Sequence, residues 1–228
     1  MAKRIRLERK VLSENDRIAA RLAQRFAEAR LLVLNLLSSP GAGKTSLLEQ
    51  TARRLGGDLR LAAVEGDLAT DRDAQRLRRA GLPARQINTG RGCHLSARQV
   101  REALGDFDGD GRPLDLGSLD ILFIENVGNL VCPSQFHLGE RRRVVVASTP
   151  EGDDKPLKYP VAFESADCVV LNKMDLVEAA GFSAEAFRRY VRGLAPRAVL
   201  LELSCRTGEG LDAWLDWLRA EREVVRRA

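Results

Sequence analysis

The chain predicts an α/β fold with a mostly parallel central sheet and helices on both faces. Three observations carry that expectation. Apolar runs such as LLVLNLL at 31–37 lack the in-and-out alternation of a half-exposed strand, as strands buried on both faces do. These runs alternate along the chain with stretches of helical period. A length of 228 residues at 44% hydrophobic content is enough for one moderately large core.

Taken in order, Ser13-Glu14-Asn15-Asp16 reads as a helix start, Ser13 accepting from the Asp16 amide while the Asp16 carboxylate reaches back. Ile18, Leu22 and Phe26 then recur four apart, an apolar stripe on a helix running to about Arg30. Residues 1–30 are thus expected to form an N-terminal helical extension and 31–228 the main domain, within one globular unit. LLVLNLL is the first strand, followed by a helix from about Lys44 to Leu55 and by LRLAAV (59–64) as the second strand. A helix through DAQRLRR leads to ARQIN (84–88), and another begins at Ser96, whose spacing to Gln99 is a capping box. LDILFIE (119–125), RVVVAS (143–148), DCVVLN (167–172) and AVLLELS (198–204) are the remaining strands, and LDAWLDWLRAE the final helix. In such sheets ligands bind beyond the carboxyl ends of the strands. Asp106-Phe107-Asp108-Gly109-Asp110-Gly111 matches the first half of a calcium loop, but Gly117 stands where a bidentate Glu is required, so the stretch reads as an acidic turn.

Composition excludes several classes. The basic start, MAKRIRLERK, continues into the charged SENDRIAARLAQ rather than the apolar stretch of a signal peptide. No apolar run approaches the roughly 18 residues of a membrane span, so a cytoplasmic protein without a membrane partner is expected. Cysteines at 93, 132, 168 and 205 are too scattered for a disulfide scaffold, and thiols in a reducing compartment point to metal or catalysis. The net charge of +5 reads as solvated helix faces and termini, and the 5% of aromatic residues show no interleaving with basic ones, so no nucleic-acid partner is expected.

The first strand runs directly into Ser38-Ser39-Pro40-Gly41-Ala42-Gly43-Lys44-Thr45 and then into a helix, the context of a phosphate loop. Backbone amides from Ser39 to Ser46 and the helix amino terminus point at the phosphates. Lys44 would bridge the β- and γ-phosphates and Thr45 would bind Mg²⁺. Ser38 departs from the Gly that usually opens this motif. After the strand DCVVL comes Asn172-Lys173-Met174-Asp175, in which the Asp175 carboxylate can accept both N1–H and N2–H of guanine and so select GTP over adenine nucleotides. Ser204-Cys205-Arg206 would close over the base. Asp67 in EGDLATDRDA and Glu125 at the end of LDILFIE can both reach the Mg²⁺ shell, and both remain candidates for positioning the attacking water. Gly128 in Glu125-Asn126-Val127-Gly128 can turn its amide toward the γ-phosphate, as in a switch.

The order SSPGAGKT, EGDLATDRDA, NTGRGCHL, IENVGNLVCP, ASTPEGDDKPLKYP and NKMDL resembles the HypB family of nickel-incorporation GTPases in [NiFe]-hydrogenase maturation, from about Asn35 to Gly210. The resemblance implies a phosphate-loop fold of the SIMIBI class, with 31–228 as the GTPase domain and slow hydrolysis of GTP to GDP. It implies metal ligation (Ni²⁺ or Zn²⁺) by Cys93, His94 and Cys132, a GTP-promoted homodimer, and as partners a HypA-type nickel chaperone and the hydrogenase large-subunit precursor. The amino-terminal cysteine-rich or histidine-rich segment of some members is not expected, since no Cys or His precedes residue 93. Alternatives are a nickel GTPase of urease type, a cobalamin-enzyme chaperone, and a nucleotide-gated metal-binding protein with little useful turnover.

On the residues alone, Cys93-His94 makes a weak site, because neighbours diverge by ~100° on a helix and lie on opposite faces of a strand. Cys93 and Cys132 nevertheless fall in loops after strands, on the edge that carries the nucleotide. A two-fold dimer would add a second set of donors. Thiolate and imidazole suit Ni²⁺ and Zn²⁺ alike, so the residues give the donor set and the resemblance gives nickel. His137 reads as a polar loop histidine.

Overall fold

A computed structural model describes residues 2–67, 71–90 and 92–228. Leu68, Ala69 and Thr70 of EGDLATDRDA and Arg91 of RGCHLS lie outside the described residues. The strands are β1 (Leu32–Ser38), β2 (Leu61–Asp67), β3 (Ala84–Asn88), β4 (Ile121–Glu125), β5 (Arg142–Ser148), β6 (Cys168–Asn172) and β7 (Val199–Glu202). They form one seven-stranded sheet in the order β3-β2-β4-β1-β5-β6-β7, every pairing of named strands parallel. All seven strands follow the predicted runs, shifted by one or two residues at most ends.

The helices are α1 (Ala2–Glu28), α2 (Lys44–Leu55), α3 (Arg72–Arg79), α4 (Ala97–Gly105), α5 (Lys155–Lys158), α6 (Pro160–Glu164), α7 (Ala184–Leu194) and α8 (Leu211–Arg227). Side chains of β1 alternate between two buried layers. Leu32, Leu34 and Leu36 pack with Leu47, Trp214 and Leu218 of α2 and α8, while Val33 packs with Leu22, Phe26 and Val100 of α1 and α4. A third cluster joins Val145 and Val169 to Phe163 and Phe187 of α6 and α7. Trp214 is fully buried because its Nε1–H finds Thr51 Oγ1 at 2.9 Å, which removes the cost of an unpaired indole donor.

One expectation fails: α1 does not start at Ser13 but runs unbroken from Ala2. Capping-box spacing inside a sequence of helical period is no terminus, since preceding residues can continue the same hydrogen-bond ladder. The segment instead supplies buried Asn15, which accepts from the Ala97 amide at 2.9 Å and donates to His137 O at 2.8 Å. By contrast, Ser96 and Gln99 do form the capping box of α4. The short α5 and α6 and the longer α7, capped by Ser183, lie in segments that the sequence reading leaves unassigned. The acidic turn folds on itself, Asp106 and Asp108 accepting from the amides of Gly111, Asp110 and Arg112. Among the described residues no helix is long and apolar enough to cross a membrane.

Candidate functional site

At the carboxyl ends of β1, β2, β4 and β6 lies a cavity of about 610 Å³ lined by the phosphate loop, Glu65, Asp67, Glu125, Gly128 and Lys173, among others. The parallel topology places it there, since the loops after these strands emerge on one edge. Gly41 and Gly43 take φ values of +76° and +104°, and a Cβ on Gly43 would fall 2.3 Å from Asn172 Nδ2, so neither position tolerates a side chain without strain. Ser38, the departure from the usual motif, is fully buried, and its Oγ accepts from Lys44 Nζ at 2.7 Å. Thr45 Oγ1 donates to Glu125 Oε1 at 2.8 Å, bringing together two residues eighty positions apart. Glu125 Oε2 is buried with no hydrogen-bond partner. These hard oxygen donors fit a small divalent cation such as Mg²⁺.

Asn172 binds the site's segments together. Its Nδ2 donates to Ala42 O at 2.9 Å, and its Oδ1 accepts from the amides of Lys173 at 2.8 Å and Cys205 at 3.1 Å. Lys173 holds φ at +62° while its Nζ donates to Gly41 O at 2.8 Å. Asp175, with 12% of its side chain exposed, accepts from Ser204 Oγ at 2.5 Å and lies 3.5 Å from Arg206 Nη1. Pro40, Gly41, Gly43, Lys44, Thr45, Ser46, Gly128, Asn172, Lys173, Cys205 and Arg206 line the cavity, whereas Ser39, Ala42, Asp175 and Ser204 are not among its lining.

Several lining residues were not singled out from sequence. Glu65 is 2% exposed and faces Glu125 in register across β2 and β4. Burial, with Glu125 adding to the effect, pushes its carboxyl up to about 9. The signal for it was an acidic residue closing an apolar strand. Burial likewise pushes Glu125 up, opposed by Lys44 and the Thr45 hydrogen bond. Arg76 of α3 reaches Glu49 at 2.8 Å and Ser46 at 3.2 Å, tying α3 to the phosphate-loop helix α2. Lys155 donates to Ser39 Oγ at 3.1 Å.

Beside the cavity, the donor atoms of Cys93, His94 and Cys132 all lie within 4.8 Å of one another. Cys93 Sγ is 3.7 Å from His94 Nδ1. The divergence expected of adjacent side chains does not apply, because the pair sits in a bend rather than in a helix or strand. The His94 ring stacks on Phe136, with centroids 3.9 Å apart. The neighbouring Cys132 thiol, then burial, push the Cys93 thiol up, and burial pushes His94 down toward the neutral, ligating form. Two sulfur atoms and one imidazole suit a borderline or soft divalent metal. Buried Arg143 braces the loop, its guanidinium pairing with Glu140 at 2.7 Å and donating to Ser134 O and Phe136 O. His137 is exposed and outside the cluster, and Cys168 and Cys205 are buried apart from it.

A family model described as the CobW/HypB/UreG nucleotide-binding domain matches residues 31–202. The hydrogenase maturation factor HypB of Azotobacter vinelandii is 49% identical over 224 residues, covering 98% of this chain and 72% of that protein. The hydrogenase/urease maturation factor HypB of Helicobacter pylori is 42% identical over 216 residues, covering 95% of this chain and 87% of that protein. The crystal structure of HypB from Helicobacter pylori in complex with nickel superposes with a TM-score of 0.85 at 41% identity, covering 92% of this chain and 95% of that one. With the phosphate loop, the Asn172–Asp175 segment and the Cys-His-Cys cluster all in place, the chain belongs to the HypB family of hydrogenase maturation factors, within the CobW/HypB/UreG nucleotide-binding proteins.

Proposed function

We propose that the protein hydrolyses GTP slowly and uses the cycle to hold and release nickel for [NiFe]-hydrogenase maturation, as a GTP-promoted homodimer served by a HypA-type chaperone and acting on the hydrogenase large-subunit precursor. The observation that carries this reading is the segment from Glu125 to Cys132. It begins against Thr45 in the phosphate cavity and ends 4.8 Å or less from the donors of Cys93 and His94.

In this reading Asp175 accepts the two N–H groups of guanine, and Ser204, Cys205 and Arg206 close over the base. The phosphate-loop amides from Ser39 to Ser46 and Lys44 hold the phosphates, with Lys44 moving from Ser38 Oγ onto the β,γ-bridge. Mg²⁺ held by Thr45, Glu125 and Asp67 supplies charge neutralisation on the phosphate oxygens. Water attacks the γ-phosphorus, the bond to the β,γ-bridging oxygen breaks, and the water's protons pass to a nearby base and to phosphate. Asp67 and Glu125 both line the cavity, which supports either as the group that orients that water. Departure of phosphate frees the Gly128 amide and with it the loop bearing Cys132. Nickel is cargo, bound by Cys93, His94 and Cys132 with zinc as a competing occupant, and the partner subunit's equivalent donors complete the set.

The test is size exclusion with light scattering on protein carrying a non-hydrolysable GTP analogue, with and without Ni²⁺, with metal measured in each peak. A dimer that gains nickel in the wild type and loses it in the Cys93→Ala, Cys132→Ala double variant is expected. Monomers under every condition, or full nickel content in the double variant, would overturn the reading. The Helicobacter pylori relative's hydrogenase/urease name motivates a second arm. Restoration of urease rather than hydrogenase activity in cells lacking their own factor would shift the target.

A further inference from the structure

We infer that Asn129 is the positioning residue that couples the phosphate loop to the spacing of Cys93 and Cys132, a deepening that rests on the nucleotide and metal roles proposed above. One side-chain amide here contacts both thiol-bearing loops. Asn129 Nδ2 donates to Cys93 O at 3.3 Å, and Asn129 Oδ1 accepts from the Val131 amide at 2.9 Å, one residue before Cys132. The two partners fix the amide's orientation independently, because a carbonyl needs the nitrogen and an N–H needs the oxygen.

The backbone of the same residue is tied to the other site. Asn129 forms an isolated antiparallel bridge with Ser38, whose Oγ holds Lys44 Nζ at 2.7 Å. The preceding Gly128 packs so closely on the phosphate loop that an added Cβ would stand 3.0 Å from Pro40 Cα. A nearby anchor, Asn126, accepts from the Leu95 amide at 3.0 Å and donates to Asn35 at 3.3 Å, so the Cys93–Leu95 stretch is tied to the loop after β4 at two points. Asn126 is buried just after β4 and serves as the fixed end, whereas Asn129 is half-buried and sits where a movement of Gly128 is felt. With Asn126 fixed, a shift of Gly128 and Asn129 against Pro40 therefore moves the Cys93 carbonyl and the Val131 amide, changing the distance between the two sulfur atoms. Asn129 itself does not line the nucleotide cavity.

The experiment is equilibrium competition of Ni²⁺ against a chromophoric chelator, on full-length wild type, Asn129→Ala and Asn129→Asp, each saturated with GDP or with a non-hydrolysable GTP analogue. Asp keeps the acceptor for Val131 but cannot donate to Cys93 O, so it isolates the inter-loop bond. In wild type, nickel Kd is expected to differ between the two nucleotide states. Both variants are expected to bring that ratio toward one, by up to about tenfold, the worth of one hydrogen bond, with GDP affinity and melting temperature unchanged. A ratio equal to wild type in both variants overturns the inference. So does equal weakening in both nucleotide states, which marks a structural brace and not a coupler. A wild-type Kd indifferent to nucleotide overturns the underlying reading of the two sites and the inference with it.

Discussion

Asparagine in place of Asp175 exchanges one carboxylate oxygen for an amide nitrogen at almost constant volume, at a position where the side chain is 12% exposed. The carboxylate has four lone-pair sites, one taken by Ser204 Oγ at 2.5 Å and another facing Arg206 at 3.5 Å, leaving room for both guanine N–H groups. With Asn, one charge-assisted hydrogen bond is lost, about 1.5–3 kcal/mol, and the new NH₂ opposes the guanine amine, leaving a buried donor unpaired for roughly 1–2 kcal/mol more. The sum predicts GDP binding weaker by about 10²–10⁴-fold. Xanthine carries an oxygen where guanine carries that amine, and the oxygen can accept from the new NH₂. Titration calorimetry with GDP and xanthosine diphosphate therefore checks the reasoning on one pair of proteins. The variant should lose most of its GDP affinity and bind the xanthine nucleotide more tightly than wild type does. GDP affinity within about threefold of wild type, less than one hydrogen bond is worth, refutes the placement of the base at Asp175.

Gly128→Ala puts a Cβ 3.0 Å from Pro40 Cα and 3.1 Å from its nitrogen, so the phosphate loop must give by a few tenths of an ångström. Phosphate release is expected to slow by about tenfold through misplaced reacting groups, and a wild-type rate would show that the close approach has no part in turnover. Asp120 joins the start of β4 to Arg60 and to Arg222 of α8. Burial alone would raise its carboxyl, but hydrogen bonds from both arginines outweigh it and hold the group at about 2, below its ordinary 3.8. A lowered folded value means stability present above the unfolded pKa and lost as pH falls toward the folded one. Asp120→Asn should cost about 1 kcal/mol at pH 7 after solvent screening. Urea midpoints should show that gap narrowing between about pH 4 and pH 2, whereas a gap independent of pH would mean that packing, not charge, is lost.

The sheet was legible because each strand is an apolar run and each crossover has a helical period, two signals that depend only on neighbours in sequence. The phosphate loop and Asn172–Asp175 were legible because their chemistry is packed into contiguous residues. What escaped depends on pairing between distant segments. Glu65 matters because β2 lies beside β4 and sets it opposite Glu125, a register that no local pattern reports. Asn35, Glu140 and Arg143 read as ordinary polar residues until the fold buries them and links them to the loop that carries Cys132. Ser13 failed in the opposite direction, since a capping-box spacing was present but the residues before it continued the helix. The Cys-His pair reads as weak in sequence because the divergence rule for neighbours presumes regular structure, and a bend removes that divergence.

Strand order explains why the two sites share one loop. With β4 inserted between β2 and β1, the segment leaving Glu125 has the phosphate loop on one side and the loop after β3 on the other, across the end of β2. Within that segment Gly128 lies against Pro40, and the next residue, Asn129, reaches Cys93. Asn126 to Cys132 spans that gap, and two of its side chains bond backbone groups of the loop after β3, Asn126 Oδ1 accepting from the Leu95 amide and Asn129 Nδ2 donating to Cys93 O. A long linker between sites would let each move alone. Under the proposed coupling, a displacement at Gly128 passes through Asn129 to the Cys93 carbonyl and the Val131 amide, so the γ-phosphate and the two thiols would be linked through one short strip of chain.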